Sequence, residues 1–166
     1  MTTLDDHATV PPPVSYAWLE SAAHPSMTSP DARTVRLDIA SRIEFLDTVQ
    51  VTLTHLAGLA GFDEEACHYM SVALRESVVN AIKHGNKLDA ARRVGIEFVI
   101  QNGSLEIHVE DQGVGFDPGQ VPDPVAEENL LKAYGRGIFF MRSFMDEVRF
   151  AFPETGGTRV TMVKRV

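Results

Sequence analysis

Three polar side chains recur at four-residue spacing in the segment "ESVVNAIKHGN", residues 76–86. They are Glu76, Asn80 and His84, and residues four apart lie on one face of an α-helix. A carboxylate and an amide one turn apart can serve one site. The amide oxygen is a hard ligand suited to Mg²⁺, and the carboxylate can orient or deprotonate a hydroxyl. The alternative is a solvated helix face, because surface helices normally carry polar stripes.

A second acidic side chain, Asp111, stands at the end of "SLEIHVED", residues 104–111. Apolar and polar residues alternate there, and Asp111 continues the parity of the apolar set, so it is predicted to lie on the buried side of a strand. A buried carboxylate is costly unless donors surround it, and the exocyclic amine of a purine is one such donor. Gly113 and Gly115 permit the close backbone approach that a ligand wall requires. The alternative is a tight turn that Asp111 merely caps.

Two further glycine-rich segments can contribute to the same site. In "YGRGIFFM", Gly135 and Gly137 precede a predicted helix, whose free N–H groups and positive dipole end favour phosphate. Arg136 between them can add a charge to the phosphates, or it can face solvent. In "TGGTRV", Thr158 opens the last predicted strand, where its hydroxyl can reach the same ligand.

These residues must be positioned by strands and helices that follow one another with hairpins rather than in regular βαβ alternation. The pattern predicts a strand at 33–40, helices at 43–61 and 63–85, strands at 92–101 and 104–111, helices at 127–132 and 137–145, and strands at 147–152 and 158–166. Asn102-Gly103 is suited to a tight hairpin turn between the second and third strands. This order favours an α+β fold, a two-layer sandwich with one mixed or antiparallel sheet and the helices on one face.

The helix ends carry recognisable signals. Ser41 with Glu44 has the spacing of a capping box, and Gly61 marks the end of the first helix. The second helix is predicted to start near Asp63. Its apolar stripe lies nearly opposite the polar one and consists of Cys67, Met70, Leu74, Val78 and Ala81.

Length and composition fit one globular domain. The chain has 166 residues, of which 44% are apolar and 23% charged. Residues 1–31 contain five prolines and no apolar period, which predicts a flexible extension before a domain at 32–166. The net charge of -8 argues against nucleic acid and anionic membranes as partners. The single Cys67 rules out an intramolecular disulfide and is predicted to be buried. Without a secretory signal or a long apolar run, the expected location is the cytoplasm.

Four short motifs occur in a characteristic order. They are E-x-x-x-N-x-x-x-H-G-N, D-x-G-x-G-F, G-x-G-I and G-G-T. This set resembles the N, G1, G2 and G3 boxes of the GHKL ATPase superfamily, over about residues 33–166. "ALRESVVNAIKHGN", "DQGVGFDP" and "GRGIFFMRSFMDEV" look most like the anti-sigma-factor serine/threonine kinases of bacterial partner-switching systems. The resemblance implies a Bergerat-type ATP-binding fold.

The resemblance also implies roles for the candidate residues, with ATP and Mg²⁺ as cofactors. Glu76 would be the general base on a serine or threonine of a protein substrate, and Asn80 would be the Mg²⁺ ligand. Asp111 would bind the adenine amino group, with Thr158 assisting. Gly113 and Gly115 would form the wall beside the nucleotide. Gly135 and Gly137, with Arg136, would form the turn that closes over the phosphates.

The implied partners are a sigma factor and an anti-anti-sigma protein with a STAS fold, bound by a homodimer. A different class stays open, an ATP-binding module that sequesters a sigma factor without phosphorylating anything. A histidine-kinase-like catalytic domain is less favoured, because the 31 residues before the domain are too few and too rich in proline for a helical phosphoacceptor module. His84 matches the family pattern, and packing under the following loop is favoured over ligation.

Overall fold

The structure, a computed structural model, describes residues 32–114, 136–154 and 156–166. The strands in these residues are β1 (Arg33–Ala40), β2 (Arg93–Gln101), β3 (Ser104–Glu110), β4 (Glu147–Ala151) and β5 (Arg159–Arg165). The helices are α1 (Leu46–Ala60), α2 (Glu64–Asn80) and α3 (Arg136–Phe144), with a 3₁₀ turn (Ile43–Phe45) before α1 and a π-helical turn (Ala81–Gly85) after α2. The predicted order of elements is confirmed for this part of the chain. The predicted extension at 1–31 and the short helix at 127–132 lie outside the described residues.

One sheet contains all five of these strands, in the order β1-β2-β3-β5-β4. Every neighbouring pair is antiparallel. Of the two sheet types that the sequence left open, the antiparallel one is therefore observed. The turn between β2 and β3 is the predicted dipeptide, with φ of 49° at Asn102 and 68° at Gly103. Positive φ at both positions is what a two-residue hairpin with the right-handed strand twist requires.

The core lies between the helices and one face of the sheet. A row of cross-strand partners runs across that face, from Phe98 through Ile107 to Met162, and all three are fully buried. Leu53 of α1 and Leu74 of α2 belong to the same buried cluster. This arrangement confirms the predicted α+β sandwich with helices on one face.

The opposite face of the sheet carries charged residues instead. Glu97 and His108 are cross-strand partners there, and His108 Nδ1 lies 2.9 Å from Thr161 Oγ1. Arg36 and Arg159 form ion pairs with Glu97. Burial of the imidazole, reinforced by nearby arginines, lowers the pKa of His108 from 6.5 to about 3. His108 is therefore neutral across the physiological pH range.

Two of the predicted helix ends are confirmed and one is wrong. Gly61 ends α1 with φ of 92°, and the Asp63 side chain caps α2 by accepting a hydrogen bond from the Ala66 N–H. Ser41 does not cap the first helix. Its backbone N–H donates to the Arg92 carbonyl at 3.0 Å, which keeps Ser41 with the sheet, and its side chain is buried. The chain therefore turns into helix one residue later, without a side-chain cap.

The apolar stripe of α2 is confirmed as the core face. Met70, Leu74, Val78 and Ala81 are buried. Cys67 was expected to be buried and is only half-buried, because it lies in the first turn of α2, at the margin of the core.

Candidate functional site

The polar stripe of α2 faces the start of α3. Gly137 is buried there, and a Cβ built on it would lie 2.9 Å from Glu76 Oε2 and 3.1 Å from Asn80 Nδ2. Both atoms are the ends of flexible side chains, so a side chain at position 137 would displace them. Glu76 and Asn80 are half-buried, so both stay accessible to a ligand. The first turn of an α-helix leaves N–H groups without intrahelical partners, which suits an anion, and the structure brings the first residues of α3 to a carboxylate and an amide.

Asp111 forms the second part of the site, just beyond the end of β3. Its side chain is 6% exposed, as the strand parity predicted. Asp111 Oδ1 accepts hydrogen bonds from the backbone N–H groups of Gly113 at 2.8 Å and Thr158 at 3.3 Å. Among the described residues, no donor is recorded on Oδ2. Oδ1 therefore caps the loop, which was the alternative prediction, while Oδ2 lies against Gly85.

Burial also affects the protonation of this carboxyl. Desolvation raises the pKa of Asp111 above the ordinary 3.8. The N–H groups of Gly113 and Thr158 and the positive charge of Arg92 oppose that rise. A ligand that donates an N–H group to Oδ2 would oppose the rise in pKa further, because it stabilises the charged carboxylate.

Glycines enclose the Asp111 carboxylate on several sides. A Cβ on Gly85 would lie 2.3 Å from Asp111 Cγ, and one on Gly157 would lie 2.0 Å from the Asp111 carbonyl oxygen. A Cβ on Gly113 would lie 2.4 Å from the Gly85 carbonyl oxygen. Gly157 also has φ of 86°, a conformation that side chains disfavour. The main chain therefore packs directly against Asp111, as a narrow wall around a flat ligand would require.

Helix α2 and its π-helical turn connect the two parts. Glu76 and Gly85 are nine positions apart along this helix, which corresponds to roughly 13 Å of helix length. A nucleoside triphosphate extended from base to terminal phosphate fits a site of this length. The base would lie at Asp111 and the phosphates at Asn80 and the start of α3.

A divalent cation fits this arrangement as a partner of phosphate. In the described part of the chain, no cluster of three or more His, Cys, Asp or Glu side chains can hold a metal by itself. The Asn80 amide lies beside the start of α3, where it offers one hard oxygen ligand. Mg²⁺ commonly takes one or two protein ligands together with water and substrate phosphates, so a single amide is compatible with it.

The structure does not place every predicted site residue. Gly115 and Gly135 lie outside the described residues. Arg136 is the first residue of α3. Thr158 is buried and pairs with Asp111 through its main chain, since its carbonyl also accepts from the Asp111 N–H at 3.1 Å. His84 is exposed in the π-helical turn, and its packing under the loop stays a prediction.

Sequence reasoning missed several residues around Asp111. Gly85 and Gly157 were noted as helix end and turn but not as contacts of the carboxylate. Both Asn86 and Gln112 bond to Arg93, the first residue of β2; Asn86 was noted only as the last position of the first motif, and Gln112 was not singled out. The sequence offered a signal for Asn86 alone, as the end of that motif, because the bonds of Gln112 depend on how two distant segments pack.

An aromatic stack holds α3 along α2 at the end remote from Gly137. Tyr69 stacks on Phe144 with ring centroids 4.8 Å apart, and Phe144 stacks on Phe140 at 5.7 Å. Tyr69 lies seven residues before Glu76, on the same face of α2. The stack therefore sets how α3 lies along the polar stripe.

Comparison with known proteins agrees with this geometry. Residues 39–164 match the family described as the histidine kinase-like ATPase domain. The chain belongs to that family. The expected membership of the GHKL superfamily is thereby confirmed, and the two parts of the site fall inside the matched range.

Relatives of this ATPase domain include bacterial proteins named serine-protein kinase RsbW. The chain is 28% identical to one from Listeria monocytogenes over 138 residues, which covers 80% of this chain and 87% of the relative. Identity is 29% with one from Bacillus licheniformis and 27% with one from Bacillus subtilis, each over 78% of this chain and 84% of the relative.

A solved structure shares the fold. The crystal structure of the RsbU and RsbW domains of a Mycobacterium tuberculosis protein matches with a TM-score of 0.58 and 18% identity. The match covers 80% of this chain and 32% of that one. The likeness supports the Bergerat-type architecture of this ATPase domain. None of the helices in the described residues has the length and apolar character needed to cross a membrane.

Proposed function

We propose that this ATPase domain is an ATP-dependent serine/threonine protein kinase and an anti-sigma factor. One observation carries the proposal: α2 brings Glu76 and Asn80 to the start of α3, and the π-helical turn after α2 ends with Gly85 against the Asp111 carboxylate. A nucleotide lying along α2 has its base at one end and its terminal phosphate beside a carboxylate at the other. The relatives named serine-protein kinase support the same activity.

Each end of the site has a defined chemical task. Asp111 Oδ2 accepts a hydrogen bond from the exocyclic amine of adenine, and the Thr158 hydroxyl assists. Gly113 and Gly115 form the wall beside the base, and the N–H groups of the Gly135–Gly137 turn, with Arg136, hold the phosphates. When bound, Mg²⁺ neutralises phosphate charge, and Asn80 is its protein ligand.

Glu76 acts on the protein substrate. The hydroxyl oxygen of a serine or threonine forms a bond to the γ-phosphorus of ATP, while the bond from that phosphorus to the β,γ-bridging oxygen breaks. Glu76 orients the hydroxyl and accepts its proton, and ADP leaves with the bonding electrons. The preorganised N–H groups at the start of α3 stabilise the charge on the transferred phosphoryl group.

The proposed partners follow the partner-switching scheme. A homodimer of the chain sequesters a sigma factor and phosphorylates an anti-anti-sigma protein with a STAS fold. Because a sigma factor acts in the cytoplasm, the proposal places the chain there. The competing function, sequestration without phosphoryl transfer, needs the same nucleotide site. It differs only in that Glu76 does not act as a general base.

Intact-mass spectrometry separates the two functions. Proteins that co-purify with the chain are incubated with Mg-ATP and either wild type or Glu76→Gln, after ATP binding has been confirmed for both. We expect a phosphoryl-sized mass gain on a partner with wild type and none with the variant. No gain with wild type, despite ATP binding, would assign the chain to sequestration alone.

A further inference from the structure

The segment that follows Gly85 is tied to the sheet by the side chain of Asn86. This side chain is 0% exposed. Its Nδ2 donates to the Arg93 carbonyl at 2.8 Å, and its Oδ1 accepts from the Gln112 N–H at 2.8 Å. One buried amide therefore bonds both to the start of β2 and to the residue after Asp111.

Gln112 completes the connection from the other side. Its Oε1 accepts from the Arg93 N–H at 2.8 Å, and its carbonyl oxygen accepts from Arg92 at 2.9 Å. We call the side chains of Asn86 and Gln112 the amide clamp. Together with the Gln112 main chain, the clamp joins residues 86, 92 and 93 to the chain just beyond Asp111.

The amide clamp flanks the contact that shapes the base end of the site. Asn86 directly follows Gly85, and Gln112 directly follows Asp111. Gly85 lies so close to the Asp111 carboxylate that a Cβ there would be 2.3 Å from Cγ. A change in the spacing of the two clamped segments therefore moves Asp111 Oδ2 relative to the wall that faces it.

We propose that Asn86 and Gln112 are positioning residues for recognition of the base. They hold Asp111 where Oδ2 meets the exocyclic amine of adenine, and neither side chain touches the nucleotide. This inference rests on the proposed ATP-binding function. It predicts that the clamp controls discrimination between ATP and inosine triphosphate, which has a carbonyl oxygen in place of the amine.

The test compares variants that remove clamp hydrogen bonds at similar side-chain volume. Gln112→Met loses the bond to the Arg93 N–H and keeps the main-chain bond from Gln112 to Asn86. Asn86→Leu loses both Asn86 side-chain bonds. Gln50→Met is the matched control, because Gln50 Nε2 donates to Ser71 Oγ at 2.9 Å, between α1 and α2. Calorimetry gives Kd for ATP and for inosine triphosphate with each folded protein.

Wild type is expected to prefer ATP. In Gln112→Met, affinity for ATP should fall roughly tenfold, with a smaller change for inosine triphosphate, so that the Kd ratio shrinks. Gln50→Met should keep the wild-type ratio. A folded Gln112→Met protein with the wild-type ratio of the two Kd values would overturn the proposal, because a purely structural clamp leaves the discrimination between the two nucleotides unchanged. This outcome does not depend on whether Asn86→Leu folds.

Failure of the underlying function gives a different result. Wild type would then bind no ATP, or would bind ATP and inosine triphosphate equally well. Either result would reject base recognition by Asp111 before any clamp variant is considered, and with it the clamp's proposed role.

Discussion

Replacing Gly85 with alanine places a methyl group against the Asp111 carboxylate. The new Cβ would lie 2.3 Å from Cγ, whereas ordinary van der Waals contacts begin near 3.4 Å. The carboxylate must therefore move by about 1 Å. Its Oδ1 bonds to the N–H groups of Gly113 and Thr158 are 2.8 and 3.3 Å long, so such a shift weakens or breaks both.

Two consequences follow with estimable size. A hydrogen bond to a charged group contributes about 1.5–3 kcal/mol, so loss of both should lower the free energy of unfolding by roughly 3–6 kcal/mol. Loss of the aligned contact from Asp111 to adenine should weaken ATP binding by about tenfold to a hundredfold. Denaturant titration measures the first effect and calorimetry of the folded variant measures the second.

Gly58→Ala is the matched control for this change. Gly58 is exposed in α1, and a Cβ there would meet nothing within 4 Å. Alanine should raise the free energy of unfolding by about 0.5–1 kcal/mol and leave ATP affinity unchanged. Wild-type ATP affinity in folded Gly85→Ala would refute the reasoning, because the carboxylate next to Gly85 would then have no part in binding the nucleotide.

Three further predictions concern single side chains. Asp111→Asn should weaken ATP binding but stabilise the unliganded protein at neutral pH. Because folding raises the pKa of Asp111, this gain in the free energy of unfolding should grow as pH rises above 3.8 and then level off. Denaturant titrations at several pH values measure it. Folding lowers the pKa of His108, so the contribution of His108 to the free energy of unfolding should be complete above pH 6.5 and fall by roughly 2 kcal/mol between pH 6.5 and 5. The same titrations of His108→Gln should lack this loss. Gly137→Ala should displace the flexible ends of Glu76 and Asn80 and slow phosphoryl transfer tenfold to a hundredfold in single-turnover assays; an unchanged rate would mean that Gly137 does not shape the phosphate end.

The sequence predicted the elements well because its local signals agree with the tertiary structure. The alternation of residues 33–40 and 104–111, the Asn102-Gly103 turn and the Asp63 cap each occur where expected. The prediction that Ser41 caps the first helix was wrong because a backbone hydrogen bond to Arg92, distant in sequence, outweighs a local capping pattern. A long-range bond of this kind has no signature in the residues next to Ser41.

The candidate site could be predicted only as types and spacing. Periodicity located Glu76 and Asn80 on one helix face and placed Asp111 on the buried side of its strand. It could not show that Gly137 approaches the first two residues, or that Gly85 approaches Asp111, because each approach depends on how two elements pack. The amide clamp was missed for the same reason, since Asn86 and Gln112 are 26 positions apart.

A crystal structure with Mg²⁺ and a non-hydrolysable ATP analogue tests most directly whether one nucleotide lies along α2. The exocyclic amine of the base is predicted to lie within about 3 Å of Asp111 Oδ2. The terminal phosphate is predicted to lie between Asn80 and the first turn of α3, within reach of a hydroxyl that Glu76 orients. An analogue bound elsewhere, or with its phosphates at Asp111, would contradict the account.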